Sequence, residues 1–184
     1  MVSLPLDPQP SKADWERLAN STTRQSYYGK KMLQQIAAGK KLQRSVNYDI
    51  QTWQFGDQLA MVFLPGEVVV DYSIRLKKMF DSKRLWINAY ANDLPCYIVS
   101  RRLYDEGGYE VDRSMYYYGK PTRLTKDTEE LVLDEIKVSL THGLRQTDAG
   151  LFRDSQETFD TRQLVVHAIQ LNDVFIISSA LQTL

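Results

Sequence analysis

The spacing of apolar positions changes several times along the chain, and each change predicts an element. "LPLDPQP", residues 4–10, carries three prolines in seven residues and predicts an extended lead-in. Ser11 and Asp14 form a capping-box variant that opens a helix through "KADWERLAN", and a second helix covers "RQSYYGKKMLQQIAAG" with Gly39 as its stop. Both are polar overall, which puts them on a surface. The period then drops to two: Val46, Tyr48 and Ile50 alternate, and Trp53 with Phe55 resumes the alternation after a slip, so "SVNYDIQTWQF" reads as one strand with a bulge. Gly56-Asp57 is a turn signal. "LAMVFL" follows as an unbroken apolar run, the mark of a strand buried on both faces.

"EVVVDYSIRLKKMF" returns to helical spacing through Val69, Tyr72, Leu76 and Phe80, with basic residues toward its end. "RLWINAYA" is the next strand, closed by Asn92-Asp93 and Pro95. Residues 92–121 are rich in Gly and Tyr and show little periodicity, which in a compact domain marks a functional loop. "TKDTEELVLDEIKVSL" is a helix with Thr125 as its cap and Val132, Ile136 and Leu140 on one face. Past His142-Gly143 the chain turns polar, and "LVVHAIQL" and "DVFIISSAL" read as strands or short helices. The strand–helix–strand order around Glu67 predicts an α/β fold, a mixed or parallel sheet with flanking helices, containing a parallel pair joined by a crossover helix.

Composition narrows the partners. The chain has 184 residues, 43% of them hydrophobic and 25% charged, enough for one domain with a buried core. Lys plus Arg equals Asp plus Glu at 23 each, so there is no basic excess to track phosphates and nucleic acid is not an expected partner. The single cysteine, Cys96, excludes an intrachain disulfide framework and a thiolate-rich zinc site. No stretch approaches the roughly 18 to 20 apolar residues of a transmembrane segment. "MVSLPLDPQPSKADWERL" lacks the basic and then apolar regions of a secretory signal, and compartment is left open.

Two oxygen-bearing side chains stand out by position. Glu67 follows Pro65-Gly66 where a buried strand meets a helix. It either complements the helix dipole from the first turn or serves as a ligand at the carboxyl edge of a sheet. Tyr97 follows the next strand, again at its carboxyl edge. A carboxylate and a phenol converging on one rim would make a hard donor pair able to help hold a divalent cation. Tyr97 could equally pack beside Pro95 as one of eleven tyrosines.

"LPGEVVVDYSIRLK", then "AYANDLPCYIVSRRLYDEGGYE", then "SMYYYG" resemble, in order, motifs of the neutral/alkaline (non-lysosomal) ceramidase family over roughly residues 45–140, and the lead-in from Leu4 resembles its bacterial members. The resemblance implies part of a zinc-dependent hydrolase of N-acyl amide bonds, with a ceramide-like lipid amide as substrate. Family members are often secreted or periplasmic. Residues 1–143 would be the C-terminal portion of its catalytic domain and 144–184 an unmatched tail. By the same resemblance Glu67 and Tyr97 correspond to metal ligands, and Tyr109, twelve residues after Tyr97, to a tyrosine that contacts the reacting group.

The chain departs from that pattern where it matters chemically. Cys96 stands where many members have glycine, and "GGYEV" lacks the glycine after its glutamate. The two upstream histidine ligands, the serine and the oxyanion-binding arginine have no counterpart. His142 and His167 lie downstream, the first at a helix end and the second in an apolar run. Catalytic zinc typically takes three protein ligands and an open position, so zinc is expected only with a complementary N-terminal half that supplies the rest. The alternatives are a non-catalytic remnant and a lipid-recognition or interaction module. The six tyrosines from Tyr97 to Tyr118 suit a surface that is apolar on one side and wet on the other.

Overall fold

The computed structural model describes residues 1–140; His142, His167 and the tail 144–184 lie outside the described residues. The chain is a mixed α/β fold with parallel and antiparallel pairings and flanking helices. Strand β1 (Val2–Pro5) pairs antiparallel with β2 (Ser45–Tyr48), Leu4 opposite Val46. Strands β3 (Gln51–Phe55) and β4 (Leu59–Phe63) form a hairpin whose turn holds Gly56 at φ +55°, a left-handed value that glycine adopts without strain. Next come a short strand, β5 (Glu67–Val68), and helix α1 (Val70–Met79). Strand β6 (Leu85–Asn88) then lies parallel to β4, so the expected crossover helix is α1. Strand β7 (Tyr97–Ile98) returns parallel to β5.

The remaining helices are α2 (Lys12–Ala19), α3 (Ser26–Ala37), α4 (Arg101–Glu106), α5 (Ser114–Tyr117) and α6 (Thr128–Ser139). Helix α2 opens with the predicted capping box: Asp14 N donates to Ser11 Oγ at 3.2 Å and Ser11 N to Asp14 Oδ2 at 2.9 Å. It lies close on α3, because a Cβ on Gly29 would come within 2.5 Å of Ala19 N. The polar exteriors of both helices thus hide a narrow buried strip of Trp15, Ala19, Gly29 and Met32. The main core gathers Leu4, Val46, Ala60, Val62, Leu76 and Ile98 with Val132, Leu133 and Ile136 of α6. The predicted face of α6, Val132, Ile136 and Leu140, is the buried one.

Five local expectations are corrected. The slip in residues 45–55 is a break, not a bulge: β2 and β3 belong to different sheets. Strand β4 is not buried on both faces along its whole length: Ala60 and Val62 lie in the core, and on the other face Phe63 is buried while Leu59 and Met61 are half-exposed, Met61 beside Trp53 and Trp86. The aperiodic stretch 92–121 is not one long loop but a run of short elements, each of which buries two residues at most and α4 none, too few to show a period. Thr125 does not cap α6; Asp127 takes the cap position, while Thr125 Oγ1 is buried without a partner. Helix α1 begins at Val70 rather than Glu67, and its first-turn acid is Asp71, so Glu67 is not a dipole-complementing residue.

Candidate functional site

The segment around Glu67 is laced by its backbone to the segment around Tyr97. Gly66 N donates to Asp93 O, Glu67 N to Cys96 O, Val69 N to Ile98 O, and Tyr90 N to Gly66 O, all at 2.9–3.2 Å. Gly66 has φ +83°, and a Cβ there would lie 2.4 Å from Cys96 O, so only glycine lets the two segments approach this closely. Tyr48, wholly buried, donates its hydroxyl to Pro65 O at 2.8 Å and fixes the other side of the bend. In "LPGE", the proline and glycine thus build the turn that aims the glutamate.

The pairing puts Glu67 opposite Tyr97, and Val68 opposite Ile98. Side chains alternate across a strand, so Val68 and Ile98 face the core while Glu67 and Tyr97 share the other face. Three phenols converge on the carboxylate. Tyr90 donates to Oε2 at 2.9 Å, Tyr118 donates to Oε1 in a short contact, and Tyr97 hydrogen-bonds it as well. Tyr90 reaches it from a backbone at φ +56°, an uncommon value for a bulky residue. Such strain is kept where surrounding contacts impose it, here the bond from its own N–H to Gly66 O and the hydroxyl on Glu67.

Charge and proton affinity follow from this arrangement. Partial burial would raise the Glu67 carboxyl, but the bonds from Tyr118, Tyr97 and Tyr90 outweigh it and hold the group below its ordinary range. In return the bond to Glu67, then burial, raises the pKa of Tyr97 and of Tyr90; burial, then the bond to Glu67, raises that of Tyr118. The site therefore holds one carboxylate and three protonated phenols at neutral pH. Cys96, buried behind it, is pushed up to about 12 by burial and is an inert thiol.

Tyr109 enters from a different direction. Gly107 and Gly108, at φ +66° and +106°, end α4 and swing the chain into a single wide π turn, Tyr109–Arg113. The Tyr109 ring meets the Tyr97 ring edge-on at 6.1 Å, and the Tyr118 ring does the same at 6.4 Å. Contacts continue outward from Tyr109 to Tyr117, and from Tyr117 through Tyr28 to Tyr27, as an aromatic ladder toward α3. All three residues expected at the site, Glu67, Tyr97 and Tyr109, thus meet in one place. Tyr90 and Tyr118, which bind the carboxylate, were not singled out in the sequence. Both lie in the motifs "AYAND" and "SMYYYG", yet nothing in their spacing marks them among eleven tyrosines.

These residues do not make a zinc centre by themselves. The donors are oxygens only, the phenols are held protonated, and zinc favours nitrogen and sulfur in a tetrahedral set. No group of three or more His, Cys, Asp or Glu that could hold a metal ion occurs among the described residues. Tyr118 also borders a polar cleft of about 580 Å³ lined by Gln43, Ser45, Asn47, Asp93 and Lys120. No described helix is long and apolar enough to cross a membrane. Comparison with protein-family models, with curated proteins and with solved structures finds no match to this chain.

Proposed function

We propose that this chain is part of the catalytic domain of a zinc-dependent amide hydrolase similar to neutral ceramidase. In this reading Glu67 and Tyr97 contribute two metal ligands and Tyr109 stands beside the substrate. The observation that carries the proposal is the register of β5 and β7, which sets Glu67 against Tyr97 with Tyr109 packed on the same ring. The ladder from Tyr109 to Tyr27 supports an amphipathic substrate, since tyrosine offers an apolar face and a polar tip along its length. Nitrogen ligands and a nucleophile have to come from a segment other than residues 1–140, so residues 1–140 alone turn over no amide.

The test is to read the coding sequence upstream of Met1 and co-express what it encodes with this chain. The expected complex retains stoichiometric zinc by atomic absorption and cleaves a long-chain N-acyl amide. Glu67→Gln and Tyr97→Phe each lower zinc affinity by at least about tenfold, the scale on which losing a ligand or its support acts. An upstream sequence without histidines and a nucleophile, or a complex whose zinc is indifferent to both substitutions, overturns the proposal.

A further inference from the structure

Acidic and basic residues balance in number along this chain but not in place. Residues 17–48 hold seven basic side chains and no acidic one, which leaves the rest of the sequence with sixteen basic against twenty-three acidic. All seven are exposed; Arg17 is matched by Asp14 on its own helix. Helix α3 lies at the centre of this stretch. Among the described helices of eight residues or more, it alone has no acidic residue, although an acid in its first turn would stabilise it. Helix stability therefore does not account for its charge.

The fold gathers that charge on one face. Gly29 and Met32 are buried, and the backbone at Gly29 presses on Ala19 of α2, so the opposite side of α3 points to solvent. Tyr27, Lys30, Lys31 and Gln34, spaced i, i+3, i+4 and i+7, make up that side, and all four are exposed. Tyr27, 65% exposed, meets Tyr28 edge-on at 5.5 Å, and Tyr28 meets Tyr117, 56% exposed, at 5.7 Å. Two exposed phenols thus border the basic face at its N-terminal end. From this placement we propose that the outer face of α3, with Tyr27 and Tyr117, docks on the surface of an anionic phospholipid bilayer.

The class of partner follows from the kind of charge and its setting. Lys30 and Lys31, with Lys40 and Lys41 just beyond the helix, are point charges that suit a diffuse surface potential; bidentate grip on a single phosphate would call for arginine. A twelve-residue helix offers a straight edge about 18 Å long, the shape of contact that a flat surface takes. Tyrosine sets its ring at the headgroup level while its hydroxyl stays wet. A flexible polyanion such as single-stranded nucleic acid would also meet the acidic excess in the rest of the sequence, whereas a bilayer touches one side.

The proposal is independent of the hydrolase reading, since neither Glu67 nor Tyr97 nor a metal enters it. The full chain is sedimented at low ionic strength with vesicles of phosphatidylcholine alone or with about 30 mol% phosphatidylglycerol. It is expected to pellet with the anionic vesicles, to stay in solution with the neutral ones, and to be released by about 0.5 M salt. The double variant Lys30→Gln, Lys31→Gln lowers the partition coefficient at least about tenfold. Tyr27→Ala lowers it about threefold. Lys77→Gln with Lys78→Gln, the same loss of charge at the exposed end of α1, leaves it unchanged. Circular dichroism confirms that each variant is folded. Equal pelleting with both vesicles, no pelleting by the folded chain, or full binding by the Lys30/Lys31 or Tyr27 variant overturns the proposal. So does an equal loss in the Lys77/Lys78 variant, which would reduce the effect to bulk charge. Capture of polyuridylate in place of vesicles would instead assign the face to nucleic acid.

Discussion

Glu67 takes its properties from three hydroxyls that come from three separate segments. Its pKa is lowered on folding, so it binds fewer protons in the native state than in the unfolded one near acid pH. The resulting stabilisation is complete above the ordinary value of 4.5 and is lost as pH falls through the lower folded value. Thermal unfolding between about pH 6 and pH 3 is expected to show a steeper loss of Tm for the native chain than for Glu67→Gln, the two converging at the acid end. Parallel Tm–pH curves would mean that the tyrosines do not favour the ionised form.

Among the elements, the two-residue pair β5–β7 matters out of proportion to its length. It cannot be stable by itself, and the surrounding backbone lacing through Gly66, Cys96 and Asp93 holds it. Gly66→Ala would combine a left-handed backbone with a Cβ driven into the Cys96 carbonyl. We expect a loss of about 2–4 kcal/mol by urea denaturation, together with loss of the Glu67–Tyr97 register. A change under about 0.5 kcal/mol, the size of an ordinary surface substitution, would show that the bend tolerates a side chain.

At the scale of the whole molecule, α6 is tied to the site's scaffold through one buried acid. Glu129, 4% exposed, accepts from Arg101 N at 2.8 Å at the start of α4 and pairs with Arg75 of α1 at 3.0 Å. Arg75 also holds Glu130 in a two-pronged contact. Removing Glu129 strands the part-buried Arg101 N–H and leaves Arg75, whose side chain is 36% exposed, with Glu130 alone. Glu129→Ala is expected to cost about 3 kcal/mol, read as a fall in the denaturation midpoint with the slope unchanged. A cost comparable to that of the exposed pair Lys137–Asp134 would show that α6 docks by its apolar face alone.

Local order on the chain was enough for the α/β class, the capped helix after Ser11, the crossover between β4 and β6, and the buried face of α6. Each of these depends on neighbours in sequence or on a sustained period. Position also singled out Glu67 and Tyr97, because a polar oxygen at the end of an apolar strand is visible without knowing what it faces. Tertiary structure alone decided that Glu67 lies in a strand rather than in a helix's first turn. It alone selected Tyr90 and Tyr118 from eleven tyrosines. A carboxylate's partners are set by which loops the fold brings within about 3 Å, and hydrogen bonds spanning 23 and 51 positions leave no period in the chain to read.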